Sequence, residues 1–216
     1  GFVVYSGKAN GFVMGADINE FTAIDTTERA FEVTRLGQQL FDRIEALDCP
    51  TVAALNGFTM GGGLELAMAF DYRVALVGKK KVLGLPEVKL GLHPGFGGTV
   101  RAVQLCGVRP AMQLMLTGSP VTVEKGKRIG LVDRITTEDN WRQVVRGLVA
   151  SRPPKQKPPL VERILNLSFL RPFIKPMLVK QVASKARKEH YPAPYAMIEL
   201  WAKHGASPKT GYEAEA

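Results

Sequence analysis

The run Met60-Gly-Gly-Gly-Leu-Glu-Leu-Ala67 limits this chain more than any other segment. Three consecutive glycines have no side chains to hold the backbone away, so it can take positive φ angles and approach another backbone or a ligand closely. Leu64 to Phe70 is apolar and rich in Ala, Leu and Met. That composition reads as a buried helix whose first turn carries the glycine amides and Glu65. Amides at a helix N-terminus favour a developing anion. A carboxylate among Leu64, Leu66, Ala67 and Met68 loses hydration on folding, which raises its pKa and suits it to proton transfer near neutrality.

A second glutamate has a similar setting. Glu87 lies in Leu83-Gly-Leu-Pro-Glu-Val-Lys-Leu-Gly91, and His93-Pro-Gly-Phe-Gly-Gly-Thr99 then turns tightly before a helix predicted to start near Thr99. Taken alone, Glu65 reads as a first-turn carboxylate placed for the helix dipole, and Glu87 as a turn carboxylate in a solvated loop. Taken together they are a candidate acid/base pair. Upstream, Phe2-Val-Val-Tyr5 has strand character, Ser6 to Gly11 breaks it, and the Gly15-Ala16-Asp17 turn offers either a further amide or a plain connection capped by Asp17. His93, held before Pro94 in a glycine loop, reads as structural.

Gly15-Ala-Asp-Ile18, the segment from Gly57 to Ala67 and the segment from Leu83 to Thr99 resemble, in order and spacing, the signature segments of the crotonase superfamily, the enoyl-CoA hydratases and isomerases. Ser6-Gly-Lys8, the Gly-Leu-Pro-Glu form of the second motif and Tyr191-Pro-Ala-Pro194 are similar to its multifunctional branch, the α subunits of fatty acid oxidation complexes. In those proteins a hydratase/isomerase region precedes a 3-hydroxyacyl-CoA dehydrogenase. The resemblance implies an α/β fold, the crotonase (ClpP-like) spiral of ββα units, N-terminally incomplete because Gly1 falls inside an interior strand, with a helical C-terminal extension. It places a hydratase/isomerase core at residues 1–135 and a helical region, leading towards an absent dehydrogenase domain, at residues 136–216.

The activity implied is syn addition of water to a trans-2-enoyl-CoA, with 3-enoyl-CoA isomerisation as a side reaction. Glu65 becomes the base that holds and deprotonates the attacking water and Glu87 the acid that delivers a proton to C2, with the amides of Ala16 and Gly62 as the oxyanion hole and Met14, Gly15, Asp17, Ile18 and Gly61 as the substrate-binding residues. Two carboxylates favour hydration over isomerisation alone, which needs a single base. A competing reading is an inactive fragment that binds acyl-CoA, a thiolase subunit or a membrane without turnover.

No Gly-x-Gly-x-x-Gly follows a strand, and no Walker-type loop occurs, so neither an NAD site nor a nucleotide phosphate loop is expected. Cys49 and Cys106, with His93, His190 and His204 scattered, do not suggest a metal site. The expectation is therefore no cofactor, with the coenzyme A thioester as substrate. The net charge of +9 is concentrated in residues 151–190, which hold ten Lys/Arg against two Glu. That segment reads as a solvated helical face, or as a surface for the phosphates of coenzyme A, an acidic partner or an anionic membrane. Aromatic residues are not interleaved with the charges, which argues against nucleic acid. The resemblance adds a thiolase subunit or further copies of the chain as partners. With no signal peptide and no apolar run of 18 residues, a cytoplasmic enzyme is expected, a mitochondrial one staying open because the resemblance implies a missing N-terminus.

Periodicity predicts strands at Phe2 to Ser6, Thr51 to Leu55, Tyr72 to Val77, Lys81 to Gly84 and Leu131 to Ile135. Helices are predicted from Thr27 to Ala46, Thr99 to Cys106, Pro110 to Leu116 and Val123 to Ile129. The first helix carries Asp25-Thr-Thr-Glu28 as a capping box and Val33, Leu36, Leu40, Ile44 and Leu47 as its buried stripe. Val161 to Leu170 and Pro176 to Lys188 read as amphipathic pieces.

Overall fold

The computed structural model describes residues 1–15, 17, 24–78 and 80–216. The chain winds as a spiral in which each turn gives one strand to each of two sheets and then a helix. The first turn comprises β1 (Phe2–Tyr5), a parallel bridge from Gly11 to Phe58, and α1 (Thr27–Glu45). The second is β2 (Thr51–Leu55), β3 (Thr59–Met60) and α2 (Gly62–Met68). The third is β4 (Tyr72–Leu76), β5 (Lys81–Gly84), a 3₁₀ turn at Glu87–Leu90 and α3 (Gly98–Cys106). Then come α4 (Val108–Thr117), β6 (Val121–Thr122), α5 (Val123–Arg128) and β7 (Arg134–Thr136). One sheet runs β1-β2-β4-β7, all parallel, and the other runs β3-β5-β6 with β6 antiparallel.

Central strand β2 is buried along its whole length, as a parallel strand covered on both faces must be. The main core gathers Phe12, Leu55, Leu64, Leu83, Leu85, Met112 and Leu131 between the sheets and helices. A smaller cluster forms where α6 (Trp141–Ser151) lays Val145 and Leu148 on Val52, Tyr72 and Val74. Beyond it follow α7 (Leu160–Leu165), α8 (Arg171–Ala183), α9 (Pro192–His204) and α10 (Pro208–Glu215). Met197 and Trp201 of α9 enter the main core, and Trp201 Nε1 donates to Asn166 Oδ1 at 2.9 Å.

The predicted strands and helices through Ile129 are found with ends moved by no more than two residues, while the last strand forms later, at Arg134–Thr136. Pro176, the first residue of the second amphipathic piece, lies inside α8, which begins at Arg171. Two features of α1 differ from expectation. Its N-cap is Thr26, whose hydroxyl accepts from Arg29 N–H at 3.1 Å, so the capping box is not the one expected: the residue three along from Thr26 is Arg29. The apolar stripe is largely exposed, with Leu36 at 68%, Leu40 at 51% and Leu47 at 43%, whereas Gln38 and Phe41 are the buried residues. Gln38 is buried because it is satisfied: its Nε2 donates to the carbonyls of Gly95 and Tyr212, both at 2.9 Å.

Candidate active site

Parallel pairing of β3 with β5 places Met60 opposite Gly84, which sets the two glycine-bearing motifs side by side. Gly61 N–H donates to Gly84 O at 2.9 Å, and Gly61, at φ +54°, turns the chain into α2. From the other side comes the segment 10–15. Phe58 N–H bonds Asn10 O, Phe12 N–H bonds Phe58 O, and Met60 N–H bonds Val13 O. A Cβ on Gly15 would lie 3.3 Å from Gly62 N, so these two backbones meet at the N-terminus of α2. Gly62 N–H belongs to the first turn, where a helix has no internal acceptor to offer.

Glu65 sits one turn into α2 and is 2% exposed. Its Oε1 accepts the amides of Phe96 and Gly98, both at 2.8 Å. A Cβ on Gly98 would fall 2.6 Å from that oxygen, so only glycine leaves room for the carboxylate there. Burial holds Glu65 well above the usual carboxylate range, the charges of Glu87 and Glu215 push the same way, and the two amides partly offset them.

Glu87 opens the 3₁₀ turn after Pro86, and Gly91, at φ +75°, closes it. The carboxylate is turned inward, where burial, aided by Glu215, pushes its pKa up to about 7. Its Oε2 is buried with no hydrogen-bond partner among the described residues, leaving a lone pair free to meet a ligand. His93 keeps Nδ1 3.0 Å from the Pro94 carbonyl oxygen.

Among the residues expected from sequence, the structure thus brings together Glu65, Glu87, Gly61, Gly62 and Gly15. Met14, 63% exposed, lies just before Gly15, and Asp17 is exposed. Ala16 and Ile18 lie outside the described residues. A cleft of about 280 Å³ opens at the C-terminal ends of β1, β2 and β4, bordered by Tyr5, Lys8, Asn56, Glu138 and Trp141, and neither Glu65 nor Glu87 lines it.

The structure adds a carboxylate that sequence reading missed. Glu215, at the end of α10 and 2% exposed, accepts the amides of Gly97 and Thr99, the Thr99 hydroxyl and Gln38 Nε2. Burial raises its pKa, against the pull of those bonds and of His93. The signal was periodicity: Gly211, Tyr212 and Glu215 fall on one face of a helix, the face that α10 buries.

A two-sheet spiral with paired carboxylates at a glycine-built helix N-terminus defines the crotonase class. The chain matches the family described as "Enoyl-CoA hydratase/isomerase" over residues 1–193, and it belongs to that family. Similar curated proteins include the fatty acid oxidation complex subunit alpha of Shewanella loihica, 42% identical over 204 residues, covering 92% of this chain and 29% of that protein. The subunit of the same description from Vibrio campbellii is 39% identical over 208 residues, covering 95% and 29%. The chain thus spans under a third of the length of these relatives. Among solved structures, an enoyl-CoA hydratase from Rhodobacter sphaeroides aligns with a TM-score of 0.67 at 25% identity over 99% of this chain and 71% of the other. Pseudomonas aeruginosa DspI aligns with 0.63 at 28% over 94% and 74%. No helix among the described residues is long and apolar enough to cross a membrane.

Proposed function

We propose that this chain adds water to trans-2-enoyl-CoA, giving 3-hydroxyacyl-CoA, as in fatty acid β-oxidation. The observation that carries the reading is the pair Glu65 and Glu87, two carboxylates desolvated beside the Gly61 turn, with the charge of Glu87 raising the proton affinity of Glu65. Two like charges so placed favour one proton shared between them near neutrality, so one carboxylate is a base while the other is an acid. The ionised one takes a proton from water as its oxygen bonds C3. The protonated one delivers its proton to C2. The thioester oxygen gains enolate charge as the C3–O bond forms and loses it when C2 is protonated, and the Gly62 amide, with Ala16 as the expected second donor, stabilises it, each donor contributing about 10² to 10³ in rate. The proton taken from water resets the pair.

The chemistry requires no metal and no nicotinamide cofactor of its own. Carrying one proton between C2 and C4 of a 3-enoyl-CoA uses the same carboxylates, so a slower isomerase activity is part of the proposal. By likeness to the complex subunits, the reading extends to a cytoplasmic protein that meets a thiolase subunit, with the basic 151–190 segment as a surface for an acidic partner or membrane.

Loss of the enoyl-thioester absorbance of a short trans-2-enoyl-CoA tests the hydratase. Glu65→Gln and Glu87→Gln are each expected to lose about 10² to 10⁴ in kcat. A folded protein that binds coenzyme A but leaves the absorbance unchanged would make it a binding module instead. Isomerisation is tested with a 3-enoyl-CoA, and no conversion under hydrating conditions removes that part.

A further inference from the structure

Four consecutive amides lead into α3, and they are divided alternately between two buried carboxylates. Phe96 N–H and Gly98 N–H go to Glu65, while Gly97 N–H and Thr99 N–H go to Glu215. Resting on the hydratase reading, we propose that Glu215 is a positioning residue of this site, holding from the opposite side the loop whose intervening amides hold Glu65.

The alternation follows from geometry. Gly97, at φ +96°, reverses the backbone just before α3, so successive amides point to opposite sides of the strip. Glu65 reaches one side from α2, and Glu215 reaches the other from α10, 118 residues along the chain from Gly97. Gln38 of α1 fixes Glu215 in turn, joining its Oε1 to Gly95 O and Tyr212 O through one amide group. Nothing in the proposed chemistry uses Glu215 directly, yet a buried carboxylate is costly to keep and is retained here against a helix N-terminus that one carboxylate already occupies.

Charge is the second channel. The titratable and charged groups around this strip are Glu65, Glu87, His93, Arg101 and Tyr212. Glu215 opposes ionisation of both Glu65 and Glu87. Removing its charge while keeping its shape therefore moves the Glu65 titration to lower pH, which a purely mechanical brace would not do.

The experiment is ¹³C NMR titration of the glutamate carboxyls in the wild-type chain, Glu215→Gln and Glu215→Asp, alongside kcat and KM for a short trans-2-enoyl-CoA across pH 5 to 9. Expected are a Glu65 titration displaced to lower pH in Glu215→Gln, a fall of about 10-fold or more in kcat with KM nearly unchanged, and partial recovery in Glu215→Asp. A folded Glu215→Gln whose Glu65 titrates as in wild type, with kcat within twofold, overturns the proposal. Should Glu215→Gln not fold, the wild-type spectra decide: coupled groups show matching inflections in both the Glu65 and Glu215 curves, and independent single-step curves overturn it. The titration needs no turnover. A wild-type chain that shows the coupling without hydrating substrate therefore supports the positioning role and sinks the hydratase reading alone.

Discussion

A side chain on Gly61 would run into Glu87: a Cβ built there stands 3.1 Å from the carboxylate Oε1, on a backbone already at φ +54°. The turn that starts α2 and the seat of the second carboxylate are thus one structure. Gly61→Ala is expected to lose about 1–3 kcal/mol from a positive-φ backbone that L side chains rarely adopt and to displace Glu87. Kinetics should show the larger effect, with kcat down by about 10- to 100-fold, since misplacing a reacting group by a fraction of an ångström is enough. Retention of full kcat would show that Glu87 is not held by this contact.

Stability and activity should oppose each other at Glu87. Its pKa rises from 4.5 to about 7 on folding, so between those values the folded state holds a proton that the unfolded chain has released. Stability from this group is full below about pH 4.5 and is lost as the pH rises to about 7. Glu87→Gln cannot ionise and escapes that loss. It is expected to melt several degrees above wild type at pH 8, on the order of 3 kcal/mol, and close to wild type at pH 4.5, while losing about 10² to 10⁴ in kcat. Melting curves at the two pH values check it. For the wild type, a bell-shaped kcat/KM profile follows from needing one carboxylate ionised and one protonated.

Both catalytic candidates were legible in sequence because glycine and proline mark them locally. The strands followed from apolar runs bounded by turns. Glu215 carries no such mark: its meaning arises only when α10 reaches Gly97 and Thr99 across more than 100 residues of chain. Gln38 misled in a complementary way. Periodicity ranked Leu36 and Leu40 as the buried stripe of α1, but a glutamine that satisfies two carbonyls and a carboxylate can be buried while leucines stay exposed. Hydrophobic pattern reads the transfer of carbon from water and is blind to a polar group with its partners waiting.

The glycine run is not uniform in its demands. A Cβ on Gly63 would fall 2.0 Å from Val13 O, which is backbone and cannot step aside, whereas a Cβ on Gly62 meets the Phe96 ring at 3.2 Å. Gly63→Ala is therefore expected to drive the 10–13 segment off α2 and to destabilise the fold by about 3 kcal/mol or more. Gly62→Ala should cost only about 1 kcal/mol, taken up by the ring. Denaturant unfolding of both variants tests the ranking, and equal losses would mean that the segment can retreat.

Arg101 is the tie whose loss should reach the site from outside it. Its side chain is 1% exposed and donates to Phe96 O at 2.9 Å, to Asp42 Oδ1 at 2.6 Å and to Glu45 Oε2 at 3.3 Å, with the guanidinium 4.8 Å from the centre of the Tyr212 ring. It therefore links α1, α10 and the residue whose amide holds Glu65. Asp42 and Glu45 are each 44% exposed, so on losing Arg101 they return to water and no buried charge is stranded. The cost should then lie in the planar fork and the ring stacking. Lysine, a point charge, reproduces neither of those. Arg101→Lys and Arg101→Met are expected to destabilise by similar amounts, about 2 kcal/mol, and to lower kcat several-fold as Phe96 loosens its hold on Glu65. Paired melting and rate measurements distinguish the two ideas: a lysine variant that keeps wild-type stability would show that charge alone makes the tie.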